Sequence, residues 1–239
     1  MKKTILALIS IVIIGTSCTQ KSEPQNKFSN EAIQTVYSFK DARETDSLKQ
    51  FLDYGDEQIK LEAISAFASL QDSASAVLLF EKISNENSNL LNGAIAHALG
   101  QIGQSTICNN MINVLSEIDS VEAKAAIIEA TGKCMSDEAI ESFVSIEIND
   151  NENLKQAHSW GLYRSGLKGV TNEKATTKAL EYLNSNNSVE TRLGAAHYLA
   201  RTQNLDLSVY ENEVVNSAKN DSNAEVRLAS VVALLNVSS

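Results

Sequence analysis

Three histidines, three cysteines and a single tryptophan are the side chains of this 239-residue chain with chemistry to offer. His97, His158 and His197 invite a metal, but no H-x-x-x-H pair or carboxylate-rich cluster accompanies them, which is what an ion held by side chains needs. Cys108 and Cys134 could bridge in an oxidising compartment or pack as small apolar thiols. Trp160, Tyr163 and Tyr198 could anchor a protein partner, because aromatic side chains often do. No serine, cysteine or lysine sits in a nucleophile motif, and no glycine-rich phosphate loop is present, so neither catalysis nor a cofactor is expected.

What such residues can do depends on where the fold places them, and the fold announces itself as a repeat. Six segments align without gaps: DEQIKLEAISAFASL from Asp56, SNLLNGAIAHALGQI from Ser88, SVEAKAAIIEATGKC from Ser120, NENLKQAHSWGLYRS from Asn151, SVETRLGAAHYLART from Ser188 and NAEVRLASVVALLNV from Asn223. Their starts lie 32, 32, 31, 37 and 35 residues apart. Each opens on Asp, Ser or Asn, whose side-chain oxygens accept from the free N–H groups of a helix start. Apolar and small residues then recur three and four places apart, one face of a helix.

Shorter amphipathic stretches separate the copies and begin near Ser47, Ser73, Ser105, Asp137, Glu173 and Leu207. Clusters of Asn, Asp, Ser and Gly break them from their neighbours. The expected unit is helix, turn, helix, turn, six times over, with Asn30 to Arg43 as one further helix ahead of the first pair. A two-helix repeat of this period defines an all-α superhelix, an alpha-alpha solenoid over residues 30–239.

Ala-His-Ala-Leu-Gly-Gln-Ile-Gly at Ala96 to Gly103 and Glu-Val-Arg-Leu-Ala at Glu225 to Ala229 resemble the short HEAT-like repeats of bacteria. At the front, AIQTVYSFKD from Ala32 to Asp41 and AFASLQD from Ala66 to Asp72 resemble lipoproteins of Bacteroidota, in which a HEAT solenoid precedes a cyclophilin-type peptidyl-prolyl isomerase domain. No cyclophilin segment occurs here. The resemblance implies a solenoid that binds other proteins, or the arm of an isomerase whose catalytic domain is absent from this chain.

The first 17 residues stand apart from the repeat. Lys2 and Lys3, the apolar run from Ile5 to Ile14 interrupted by Ser10, and the small residues Gly15, Thr16 and Ser17 describe a secretory signal peptide. The run is too short to span a membrane, which takes roughly 18 apolar residues or more. Ile14 to Cys18 resembles a lipobox, which implies that Cys18 becomes the acylated first residue of a lipoprotein. Thr19, rather than Asp, follows it and by the same likeness implies the outer membrane, facing the periplasm or the exterior. Residues 18–29 read as the lipidated cysteine and a flexible polar tether holding the only proline, Pro24. Removing Lys2 and Lys3 would take the net charge from -10 to -12, which argues against a nucleic-acid partner.

The repeat register then weighs the chemistry. His97 and His197 share a column but stand three repeats apart, and stacked helices roughly 10 Å apart cannot lend them to one ion. Cys134 occupies the column of Leu70 and Ile102, which favours free core thiols over a bridge with Cys108. The column Lys60, Asn92, Lys124, Lys155, Arg192, Arg227 is expected to pair with acids or helix ends of the adjacent repeat. What remains is a non-enzymatic module with a protein partner and a membrane anchor, without metal.

Overall fold

A computed structural model describes residues 26–237 except 84, 86 and 87. The expected signal peptide, Cys18 and most of the tether lie outside the described residues. Thirteen α-helices and no strand occur among the described residues. α1 (Glu31–Ala42) leads. The six pairs follow as α2 (Thr45–Leu48) with α3 (Glu57–Leu70), α4 (Ala76–Ile83) with α5 (Asn89–Ile102), and α6 (Ser105–Asn110) with α7 (Val121–Cys134). They continue as α8 (Ile140–Val144) with α9 (Glu152–Leu167), α10 (Glu173–Tyr182) with α11 (Val189–Arg201), and α12 (Glu211–Asn220) with α13 (Ala224–Ala233).

The register expected from the repeat is the register found. Asp56, Ser88, Ser120, Asn151, Ser188 and Asn223 each stand at the N-cap of a second helix, in extended backbone, and accept from an N–H of its first turn. Asn30 does the same for α1. Each cap satisfies donors that the helix itself leaves free.

The second helices form the continuous layer. α3 packs on α5, α5 on α7, α7 on α9, α9 on α11 and α11 on α13, with α1 covering α3 at the front. The first helices are shorter, and several begin or end in 3-10 turns, as at Lys49–Asp53 and Asn113–Ser116. Backbones in the middle of the second layer approach unusually closely. A Cβ placed on Gly132 of α7 would lie 2.4 Å from both the Cα and the carbonyl oxygen of Gly161 in α9. One on Gly194 of α11 would meet the Ser159 hydroxyl at 2.7 Å.

Two sequence expectations need correcting. Cys108 and Cys134 form a disulfide, with their Cα atoms 5.7 Å apart. Cys108 in α6 and the last residue of α7 meet because the two helices of a pair run antiparallel. Both remain fully buried, so burial alone could not separate a thiol from a bridge. A loop of 26 residues closed this way stabilises by about 3 kcal/mol in the chain-entropy account.

The last residues expected to belong to the tether are instead ordered. Asn26 caps a turn at Lys27–Ser29, and Lys27 Nζ donates to Glu62 Oε1 at 2.8 Å and to the Tyr37 hydroxyl at 3.2 Å. Glu62 lies buried on α3, and a carboxylate there requires a cation and donors. Phe28 packs edge-on against Tyr37, ring centroids 5.1 Å apart.

The glycine contacts give opposite expectations for one substitution at two sites. Gly93→Ala, whose Cβ would meet only Ala126 Cβ at 3.8 Å, should gain up to about 1 kcal/mol from helix propensity. Gly132→Ala should lose on the order of 2 kcal/mol or more, because two backbones must separate. Chemical denaturation of both variants checks this, and equal effects would dismiss the close approach as a stability determinant.

Candidate functional site

Two of the three expected aromatic anchors come together. Trp160 and Tyr163, one turn apart on α9, meet edge-on with ring centroids 5.6 Å apart. The third does not join them. Tyr198 is fully buried, and its hydroxyl bonds to the Thr171 hydroxyl and, at 3.4 Å, to that of Thr176. It points from α11 into the core, where its phenol needs those partners. Its chain neighbour His197 faces the other way and completes the cluster, 5.9 Å from Trp160 and 5.5 Å from Tyr163.

This cluster belongs to a longer exposed face of the second-helix layer. One repeat column there reads Ser65, His97, Glu129, Trp160 and His197, and the column four places on reads Ser69, Gln101, Lys133, Arg164 and Arg201. A cavity of about 500 Å³ lies between α3 and α5, and one of about 280 Å³ between α5, α7 and α9. His97 and Gln101 line both, so the two cavities adjoin across α5. Glu129, Lys133 and Arg164 make the far wall of the second cavity.

Arg164 Nε and Nη2 both donate to Glu129 Oε1, at 2.9 and 2.6 Å. This pair joins the third repeat to the fourth across the layer. Lys133, one turn beyond Glu129, is half-buried and has no hydrogen bond or ion pair among the described residues. Partial burial and the neighbouring Arg164 charge hold its ammonium pKa below the usual lysine range, against the pull of Glu129. Repeat alignment contained this stripe, in the run Gln101, Lys133, Arg164, Arg201. All five side chains of that column are polar or charged, so the column carries no apolar signature of its own.

That earlier cation column behaves only partly as expected. Arg192 reaches into the next repeat, donating from Nε and Nη2 to the two carboxylate oxygens of Asp221 at 2.8 and 2.9 Å, with both side chains almost fully buried. Arg227 instead binds the carbonyls of Asp221 and Ser222 in its own turn, and Lys155 pairs with Asp150 in its own turn. Lys155, Arg192 and Arg227 therefore each fasten the turn before their helix, and Arg192 also fastens the next repeat.

His158 is sealed from chemistry. It is fully buried and stacked on Phe143 with centroids 4.7 Å apart. The Phe143 carbonyl can only accept, so Nε2 carries the proton and donates to it at 2.8 Å, and Nδ1 accepts from the Tyr182 hydroxyl at 2.9 Å. No group of three or more His, Cys, Asp or Glu side chains that could hold a metal occurs among the described residues. No helix among them is long and apolar enough to cross a membrane. No family model matches the chain, and a search of curated proteins finds no relative.

Burial, opposed by the Phe143 carbonyl and aided by the Lys178 charge, pushes the His158 pKa down to about 4. The unfolded chain then binds one more proton than the folded one between about pH 4 and pH 6.5, so stability falls as pH is lowered through that window. The expected loss is about 3 kcal/mol, from roughly 1.4 kcal/mol per unit of pKa. Urea unfolding at pH 7 and pH 4.5 measures it. His158→Gln should start less stable yet show a flatter slope; an unchanged slope would remove His158 as the cause.

Proposed function

We propose that this chain is a non-enzymatic protein-binding or scaffolding module of HEAT-like repeats, anchored to the outer membrane through a lipid on Cys18. Its binding surface is the exposed face of the second-helix layer. The observation that carries the reading is the face from His97 to His197, where two adjoining cavities, two cations and an aromatic cluster lie along successive repeats. Solenoids present such extended surfaces because each repeat contributes the same columns to the same side. Half-exposed aromatics and arginine are the residue types that dominate association energies.

The histidines and the polar groups of the core support the non-catalytic side of this reading. The one fully buried imidazole has both nitrogens occupied by structural partners, and His97 and His197 stand three repeats apart. The Cys108–Cys134 disulfide supports an oxidising compartment, as expected of a secreted chain.

Affinity capture from a cell-envelope extract tests the proposal. A partner held by the native chain should be lost with Trp160→Ala and kept with Lys219→Gln, a change on the exposed end of α12. In the same cells, Cys18→Ser should move the chain from the membrane to the soluble fraction. A partner insensitive to Trp160→Ala would place binding elsewhere on the surface, and a membrane-bound Cys18→Ser variant would overturn the lipid anchor.

A further inference from the structure

Resting on the binding role above, the geometry points to a specific occupant. We propose that this face takes an extended acidic peptide segment, with one carboxylate seated between Lys133 and Arg164 and an adjoining apolar side chain against Trp160, Tyr163 and His197.

The charge balance of this face is the first argument. The chain carries ten more acids than bases, yet this wall sets two cations against the single carboxylate of Glu129. Arg164 spends two donors on one oxygen of Glu129 and keeps Nη1 without an acceptor among the described residues. Lys133 has no acceptor at all among the described residues, although it is half-buried. A partly desolvated cation left unpaired beside a second cation is costly. An incoming carboxylate relieves that cost and receives charge-assisted bonds from both.

Shape argues for a peptide rather than a compact ligand. The cavity beside Lys133 holds about 280 Å³, below the usual range of small-molecule sites and suited to a side chain. His97 and Gln101 also border the 500 Å³ cavity between α3 and α5, so concave surface recurs along the layer. On the other side of Arg164 stand Tyr163 and Trp160, one residue and one turn away on α9. An occupant meeting all three features is long, narrow, anionic at one point and apolar beside it.

The test uses the full chain in detergent, a displayed library of random twelve-residue peptides, and the fluorescence of Trp160, the only tryptophan. Enriched peptides should carry Asp or Glu next to Leu, Phe or Trp. Replacing that acid by its amide should weaken binding at least about tenfold, the loss expected of a charged hydrogen bond. Lys133→Gln should do the same, with thermal unfolding unchanged because Lys133 holds nothing together. Lys219→Gln should leave binding intact.

Enriched peptides without acids, or acidic ones indifferent to Lys133→Gln, would overturn the assignment. If such peptides still depend on Trp160, the binding role survives and only its acidic specificity falls. Inorganic phosphate quenching Trp160 fluorescence as tightly as the peptides do would reduce the site to a simple anion pocket and overturn the peptide assignment. No enrichment at all, with no partner captured from the envelope, would overturn both readings.

Discussion

A pair of helices this short cannot bury its own apolar face, and everything else in the structure follows from how neighbouring pairs do it for each other. Contact is tightest in the middle of the second-helix layer, where Gly132 and Gly161 let the backbones of α7 and α9 touch. Side chains cannot supply that approach. The two helices meet through backbone, and the residues around them take their directions from it. Gly161 also lies under the ring of Phe143, whose carbonyl holds His158. The same joint that closes the layer therefore seats the buried imidazole and turns Trp160 and Tyr163 outward.

Helix starts were legible in the sequence because their physics is local. A capping oxygen, a first turn and an apolar stripe lie within a dozen residues, and six copies reinforced the pattern, so all six caps were placed correctly. Relations between elements were less legible. Cys134 sits in a core column whether it is a thiol or half of a bridge, and only the spatial meeting of α6 with α7 decides. Tyr198 and His197 are adjacent, and a shift of one residue on a helix separates core from surface by about 100°. Read by residue type, the tyrosine looked like the anchor. Placed by register, the histidine joins Trp160 and Tyr163.

The last pair shows that column position decides burial only when a neighbour is present. Leu193 and Ala196 on α11 are buried, whereas Leu228 and Val231 in the same columns of α13 are 66% and 51% exposed. Nothing in the residues differs enough to account for this. The difference is the helix against which the first two pack. Glu152 makes the polar version of the point, since its carboxylate accepts from Ser188 N–H and the Thr191 hydroxyl of the following repeat. A cap at one repeat is thus reinforced from the repeat before, and neither can be judged alone.

The same mutual dependence accounts for the charge on the exposed face. Residues there stand on the flank where one second helix meets the next, half in contact and half in solvent. An acid placed on that flank finds a cation from the adjoining repeat, as Glu129 finds Arg164. Lys133 is one turn further along α7, beside the arginine rather than opposite an acid. Stacking holds it there, because α7 is fixed to α9 by the glycine contact a fraction of a turn away. An unpaired cation would relax into water on a free helix; in this stack Lys133 lines a cavity beside Arg164.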